Sequence, residues 1–225
     1  MTTSSVKLYG GQHSPYVNRV VMALEVKSVD YELVETNPRE LLIKINPIHK
    51  KIPVHVHGDR PICESLIIVQ YIDDAWTNGH SILPTDPYDR ATAQFWAAFV
   101  DDEFVPLLRK IGRPKGKRRK CWFSRKCLKH VCCLRMHSSP AAKAKLFFGG
   151  DNVGYLDIAL GCFVGHLWLS EMMNPTYKIL DETKTPCLAG WAERLYSDSL
   201  VKDVMPSFKN FSKSIRQCQK LFLIE

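Results

Sequence analysis

The 225-residue chain has no uninterrupted apolar run approaching the roughly 20 residues that a membrane-spanning helix needs. Its opening, "MTTSSVKLYGG", lacks the apolar core of a secretory signal. Both absences predict a soluble intracellular protein that does not use a membrane, with the cytoplasm as its compartment. The cysteines show none of the paired C-x-x-C spacings of structural zinc sites, and eight of them in a chain this long do not make a disulfide scaffold. No metal is expected, and most of the thiols should be reduced. Repeats and low-complexity tracts are also missing. Acidic residues are absent from 113–145, a stretch that holds 12 Lys and Arg. Of the 31 basic residues, 19 therefore remain elsewhere against 23 acidic ones, a net −4, although the whole chain carries +8. A mildly acidic protein thus carries one basic insert, and the reading of the whole as a basic nucleic-acid binder is excluded.

What is present divides in two. "VKLY" (6–9) reads as a strand, followed by a Gly10–Gly11 turn. Val17, Val20, Val21 and Leu24 recur at helical spacing, with Pro15 at the first helical position and Ser14 at the N-cap. A second strand is expected over 29–35, a short helix over 40–45 ended by Asn46–Pro47, and a strand over 52–57. "GDR" (58–60) turns into "PICE" (61–64), and apolar periodicity resumes from Ser65 to about Trp76. That order, βαβαββα, is a small α/β domain. Pro84 and Pro87 interrupt helix formation, and a new helix is expected from Asp89. Beyond it the pattern is helical: one long apolar helix in "DNVGYLDIALGCFVGHLWLSEM", a shorter one in "PCLAGWAERLYSDS" and a last one in "PSFKNFSKSIRQCQKLF". The expected class is α/β followed by all-α, with residues 1–82 as the first domain, 83–88 as linker and 89–225 as the helical domain.

Three strand–helix junctions of the first domain carry chemistry-bearing residues. Ser14 either caps its helix or offers its hydroxyl to a ligand, and local pattern does not separate the two. Ile52–Pro53 is either an ordinary strand start or a cis-proline that turns the preceding backbone toward a ligand. Ser65 is a candidate N-cap whose first-turn N–H groups suit a carboxylate, and Glu64 before it suits an ammonium. Strand ends of an open α/β unit can converge on one face. Together these residues suggest a pocket for a small zwitterionic or peptide-like molecule.

"SPYVNRVVMAL", "NPIHKKIPVHVHGDRPICESLIIVQYIDDAW" and "LPTDPYDRATAQFW" resemble the tau class of plant glutathione transferases, and "FFGGDNVGYLDIALG" and "CLAGWAERL" extend the likeness into the helical half. The resemblance covers residues 6–111 and 146–225. It implies a thioredoxin-like glutathione domain followed by a helical domain that binds a hydrophobic co-substrate. It also implies that glutathione is conjugated to hydrophobic electrophiles as a co-substrate, with no permanently bound cofactor. By this resemblance Ser14 is the catalytic hydroxyl, stabilising the glutathione thiolate. Lys51, Ile52 and Pro53 meet the cysteinyl–glycine portion, and Glu64 and Ser65 hold the γ-glutamyl end. The electrophile site draws on Tyr16, Val105, Arg109, Gly112, His166 and Phe211. Arg19 resembles a structural partner of the first helix. Gly154–Asp157 resembles the family's capping box, which supports the fold. A homodimer is implied as well.

Four departures from the family pattern stand out. Pro38 falls where a glutathione-binding lysine is usual, which leaves Arg39 as the substitute. Gln12 replaces a tryptophan, and Gly112 stands where a bulky aromatic is common. The largest departure is the segment 112–145, with its basic residues and with Cys121, Cys127, Cys132 and Cys133. It is open to three readings: a product of a locally shifted reading frame, a divergent helix pair, or an acquired polyanion or zinc site. Rival functions are a non-catalytic carrier of hydrophobic ligands, a glutathione-dependent peroxidase and a thiol–disulfide oxidoreductase. The oxidoreductase needs a cysteine where Ser14 stands.

Overall fold

The computed structural model describes residues 5–35, 39–112, 146–173 and 178–204. The segment 113–145, Phe211 and the expected last helix lie outside the described residues. The chain divides into two compact units, Met1–Ile82 and Leu83–Glu225.

The first unit is built on a four-stranded sheet in the order β2-β1-β3-β4, formed by β1 (Val6–Tyr9), β2 (Glu32–Val34), β3 (Val54–His57) and β4 (Arg60–Cys63). β1 runs parallel to β2 and antiparallel to β3, and β3 pairs antiparallel with β4. Val6 and Leu8 are buried while Lys7 and Tyr9 are not fully so, the period-2 alternation of a strand with one face inward. Helix α1 (Pro15–Val26) buries Val17, Val20, Met22, Ala23 and Leu24 completely and packs against α3 (Ser65–Ala75). A Cβ at Gly10 would overlap Val17, so the turn out of β1 requires glycine for α1 to sit this close. The short α2 (Arg39–Ile45) completes βαβαββα.

Some elements differ from the sequence reading. β2 is three residues long, because Val29–Tyr31 only lead into the paired stretch. β3 starts after Pro53, and β4 occupies Arg60–Cys63, which leaves Glu64 outside the strand with φ +69°. The first helix of the second unit, α4 (Pro87–Phe99), starts two residues before the expected Asp89. Pro87 does not break it. Proline suits the first turn, where its missing N–H is no loss, and the Asp86 carboxylate accepts from the Tyr88 and Asp89 N–H groups at 2.9 Å.

α4 runs through a π turn, Val100–Phe104, into α5 (Val105–Gly112), with the Val105 N–H bonded to the Val100 carbonyl. Pro106, which has no N–H to give an α-type bond, lies just beyond this turn. The expected long apolar helix is two helices, α6 (Tyr155–Gly161) and α7 (Val164–Met173), interrupted at Cys162–Phe163. Every residue of α6 is buried, and a Cβ at Gly161 would overlap Leu195 of α8 (Pro186–Ser197). α6 is pinned by Asp157, buried and accepting from the backbone N–H groups of Phe148 (2.9 Å), Gly149 (2.8 Å) and Gly154 (3.0 Å) and from Trp191 Nε1 (2.7 Å). Burial pushes its carboxyl up and the four donors pull it back. Asp157 reaches back to Gly154 as expected, while Gly154, having no side chain, cannot complete a reciprocal box.

Candidate active site

The sheet register brings the three junctions to one edge. Tyr9, the last residue of β1, pairs with Val54, the first of β3, and Val54 pairs with Cys63, the last of β4. Tyr9 also pairs with Val34, the last of β2. Chain leaving β1 toward Ser14, entering β3 from Lys51–Pro53 and leaving β4 through Glu64–Ser65 therefore meets at one end of the sheet. A contact from the Gln12 N–H to Glu35 Oε1 (3.3 Å) ties the turn after β1 to the end of β2.

Ser14 occupies the N-cap position of α1 in extended conformation, and its hydroxyl makes no capping hydrogen bond. The backbone takes over that work. The Ser14 carbonyl accepts from the Val17 and Asn18 N–H groups, and the Ser14 N–H donates to Gly11 O at 3.0 Å. Pro15 at the first helical position needs no cap. A half-buried hydroxyl at a helix N-terminus, unspent on the helix, can donate to a ligand anion.

The Ile52–Pro53 peptide is cis, with Pro53 buried, Ile52 half-buried and Lys51 exposed. The preceding loop is shaped by Asn46, which sequence reading treated only as a helix end. Its Nδ2 donates to Lys51 O (3.0 Å), its Oδ1 accepts from the His49 N–H (3.2 Å) and its carbonyl from the Lys50 N–H (2.9 Å). Only a buried asparagine satisfied on both sides does this, and local pattern carries no sign of it.

Ser65 is not an N-cap. It is the first residue of α3, and its Oγ accepts from Arg19 Nη1 at 2.9 Å, with both side chains buried. Glu64 takes the cap position without a side-chain capping bond, in a left-handed conformation that costs a non-glycine residue energy and recurs at functional sites. Its half-exposed carboxylate lies 3.8 Å from His49 Nε2, a surface pair of small energetic weight.

Arg39 opens α2, and its side chain lies outside the described residues. Tyr16 is half-buried, with the Arg19 guanidinium 5.4 Å from its ring centroid. The remaining expected residues belong to the second unit. Val105 and His166 are buried, Arg109 is exposed, and Gly112 ends α5. Burial pushes the His166 imidazole down to about 4, so it is neutral at physiological pH. Cys63 is a poor nucleophile: burial and then the neighbouring Glu64 push its thiol up. No group of three or more His, Cys, Asp or Glu among the described residues is placed to hold a metal. No helix among them is long and apolar enough to cross a membrane.

Residues 4–74 match the profile described as "Glutathione S-transferase, N-terminal domain". Glutathione S-transferase U17 of Arabidopsis thaliana is 47% identical over 222 residues, which span 96% of this chain and 97% of the relative. Glutathione S-transferase U18 of the same plant is 44% identical over 96% and 97%. Among solved structures, the tau-class glutathione S-transferase of mango, Mangifera indica, superimposes with a TM-score of 0.88 at 48% identity, covering 96% of this chain and 99% of that one. A rice enzyme solved in complex with glutathione gives 0.85 at 29% identity, covering 98% of both chains. With this similarity running almost end to end over a thioredoxin-like unit and a helical one, the chain belongs to the plant tau-class glutathione S-transferases.

Proposed function

We propose that this protein conjugates glutathione to hydrophobic electrophiles and that Ser14 stabilises the glutathione thiolate. The observation that carries the role of Ser14 is its hydroxyl, which stands at the α1 N-terminus without a capping bond. A thiol bound there is deprotonated to solvent, and the sulfur anion accepts the Ser14 O–H while the helix N-terminus adds a positive field. The sulfur lone pair then forms the new C–S bond, and the leaving group departs with its bonding pair. The protein positions and charges the nucleophile, and it contributes none of its own.

The rest of the glutathione backbone is bound along the same sheet edge. The Lys51 ammonium and the Ile52 backbone, presented ahead of Pro53, take the cysteinyl–glycine portion, with Arg39 assisting at the glycine carboxylate. Glu64 pairs with the γ-glutamyl ammonium, and Ser65 with the first-turn N–H groups of α3 takes its carboxylate. Residues 1–82 then act as the glutathione domain and 89–225 as the electrophile domain, the latter drawing on Val105, Arg109 and neutral His166. Large apolar side chains exposed on α3 (Ile67) and α4 (Tyr88, Phe95) support a homodimer, and we place the protein in the cytoplasm.

Turnover of 1-chloro-2,4-dinitrobenzene with glutathione tests this reading. Ser14→Ala should lose about 10- to 100-fold in kcat/KM, the weight of one charge-assisted hydrogen bond. Equal rates in both proteins would remove Ser14 from its role. Binding of hydrophobic dyes with no glutathione-dependent turnover would make the protein a carrier instead.

A further inference from the structure

We propose that His55 and His57 form a binding site for a copper(I) ion, separate from the glutathione site. The two residues alternate along β3, so both side chains stand on one face of the sheet. His57 pairs with Val6, the first residue of β1, at the end of the sheet opposite the Ser14 junction. The two ring centroids are 6.5 Å apart. Two imidazoles opposed across one ion, with metal–nitrogen bonds of about 2 Å, place their centroids about 6 Å apart. His55 is completely buried, and neither of its nitrogens has a hydrogen-bond partner among the described residues. A buried polar group in that state costs stability, and a bound metal ion would satisfy it. His57 is half-buried and forms the entry side. Its Nδ1 is engaged by Tyr71 Oη at 2.7 Å, the kind of outer contact that orients a metal-ligating imidazole and assigns Nε2 to the metal.

The donor set selects the ion. Imidazole nitrogen suits copper and zinc, whereas calcium and magnesium take oxygen. A structural zinc site needs four ligands, and no group of three or more His, Cys, Asp or Glu among the described residues is placed to supply them. Copper(I) is satisfied by two nitrogens in line. The aromatic surroundings favour such a singly charged ion. The Tyr71 centroid lies 5.8 Å from that of His55 and 6.0 Å from that of His57, and the Trp76 centroid lies 6.0 Å and 4.6 Å from them. These separations put the midpoint of the two imidazoles about 4 Å from the Trp76 centroid and about 5 Å from the Tyr71 centroid, inside the roughly 6 Å range of a cation–π contact. Burial, and then His57, push the His55 imidazole down to about 4, so at physiological pH its nitrogen is offered with no proton to displace.

The test follows isotope-labelled imidazole nitrogens of the full chain by NMR during anaerobic titration with copper(I) buffered by bicinchoninate. Wild type, His55→Leu, His57→Gln and Tyr71→Phe are compared. Copper taken up by the cysteines leaves the imidazole resonances in place, so the readout reports this site alone. In wild type copper(I) should shift one nitrogen of His55 and one of His57 together. His57→Gln should abolish the shift at His55, and His55→Leu the shift at His57. Tyr71→Phe should weaken the affinity read from these shifts by about 10- to 100-fold, the weight of a contact that orients a ligand. Zinc at the same concentration should move neither ring. Copper uptake that leaves the wild-type His55 resonances unmoved would overturn the proposal, as would a His55 shift that persists in His57→Gln. Should the buried His55→Leu not fold, His57→Gln carries the test, because it alters a half-buried side chain. Zinc shifts equal to those of copper(I) would overturn the choice of ion.

Discussion

Acidification should destabilise the first unit through one histidine. His55 on β3 is completely buried, and neither ring nitrogen has a hydrogen-bond partner among the described residues. The rings of Tyr71 (5.8 Å), Trp76 (6.0 Å) and His57 (6.5 Å) surround it, with Tyr71 Oη engaged by His57 Nδ1 at 2.7 Å. Burial, and then the neighbouring His57, push its imidazole from 6.5 down to about 4. Between those two pH values the unfolded chain binds a proton that the folded chain refuses, so stability is full above the unfolded value and falls as pH drops. The cost is about 1.4 kcal/mol per pH unit, hence about 3 kcal/mol near pH 4.5, a large share of the roughly 5–15 kcal/mol that holds a domain together. Urea unfolding followed from pH 7 to about pH 5 measures it. His55→Leu, which cannot titrate, should lose one proton's worth of that pH slope relative to wild type. Identical slopes in the two proteins would refute the assignment.

Two further predictions concern buried polar groups. Asp157→Ala strands the N–H groups of Phe148, Gly149 and Gly154 and the indole of Trp191, and should cost about 3–5 kcal/mol. A melting temperature within about 3 °C of wild type would contradict this. Lys27 and Asp73 form a buried ion pair (2.7 Å) between the end of α1 and α3, and Asp73 also accepts from the Ile82 N–H at 2.9 Å. Asp73→Asn leaves a buried cation and should cost about 3–5 kcal/mol in urea unfolding, more than the apolar pair Lys27→Met with Asp73→Leu; the reverse order would contradict it.

What was legible in the sequence was what depends on neighbours in the chain. The spacing of Val17, Val20, Val21 and Leu24 marked α1, Gly58–Asp59 marked the β3–β4 turn, and serines beside helix starts marked Ser14 and Ser65. Pro87 was misread because one residue type both breaks helices and opens them, and only the Asp86 cap on the N–H groups beyond it separates the cases. The apolar run around Cys162 hid a break, since buried helices on either side keep the same composition. Arg19–Ser65, Lys27–Asp73 and Asp157–Trp191 join residues far apart in sequence, and only the packing of α1 on α3 and α6 near α8 brings them together. The junction residues could be named from sequence. Their meeting at one edge required the register Tyr9–Val54–Cys63.

The central claim is that the Ser14 hydroxyl serves the bound sulfur and not the helix. Titrating the thiolate ultraviolet absorbance of glutathione bound to wild type and to Ser14→Ala, with the melting temperature of each protein, tests it directly. Loss of one charge-assisted hydrogen bond should raise the bound thiol by about 1–2 pH units. The melting temperature should stay put, because no capping bond is lost, where removing a true serine cap would cost about 1 kcal/mol. An unchanged thiol titration accompanied by a lowered melting temperature would make Ser14 a helix cap and contradict the claim.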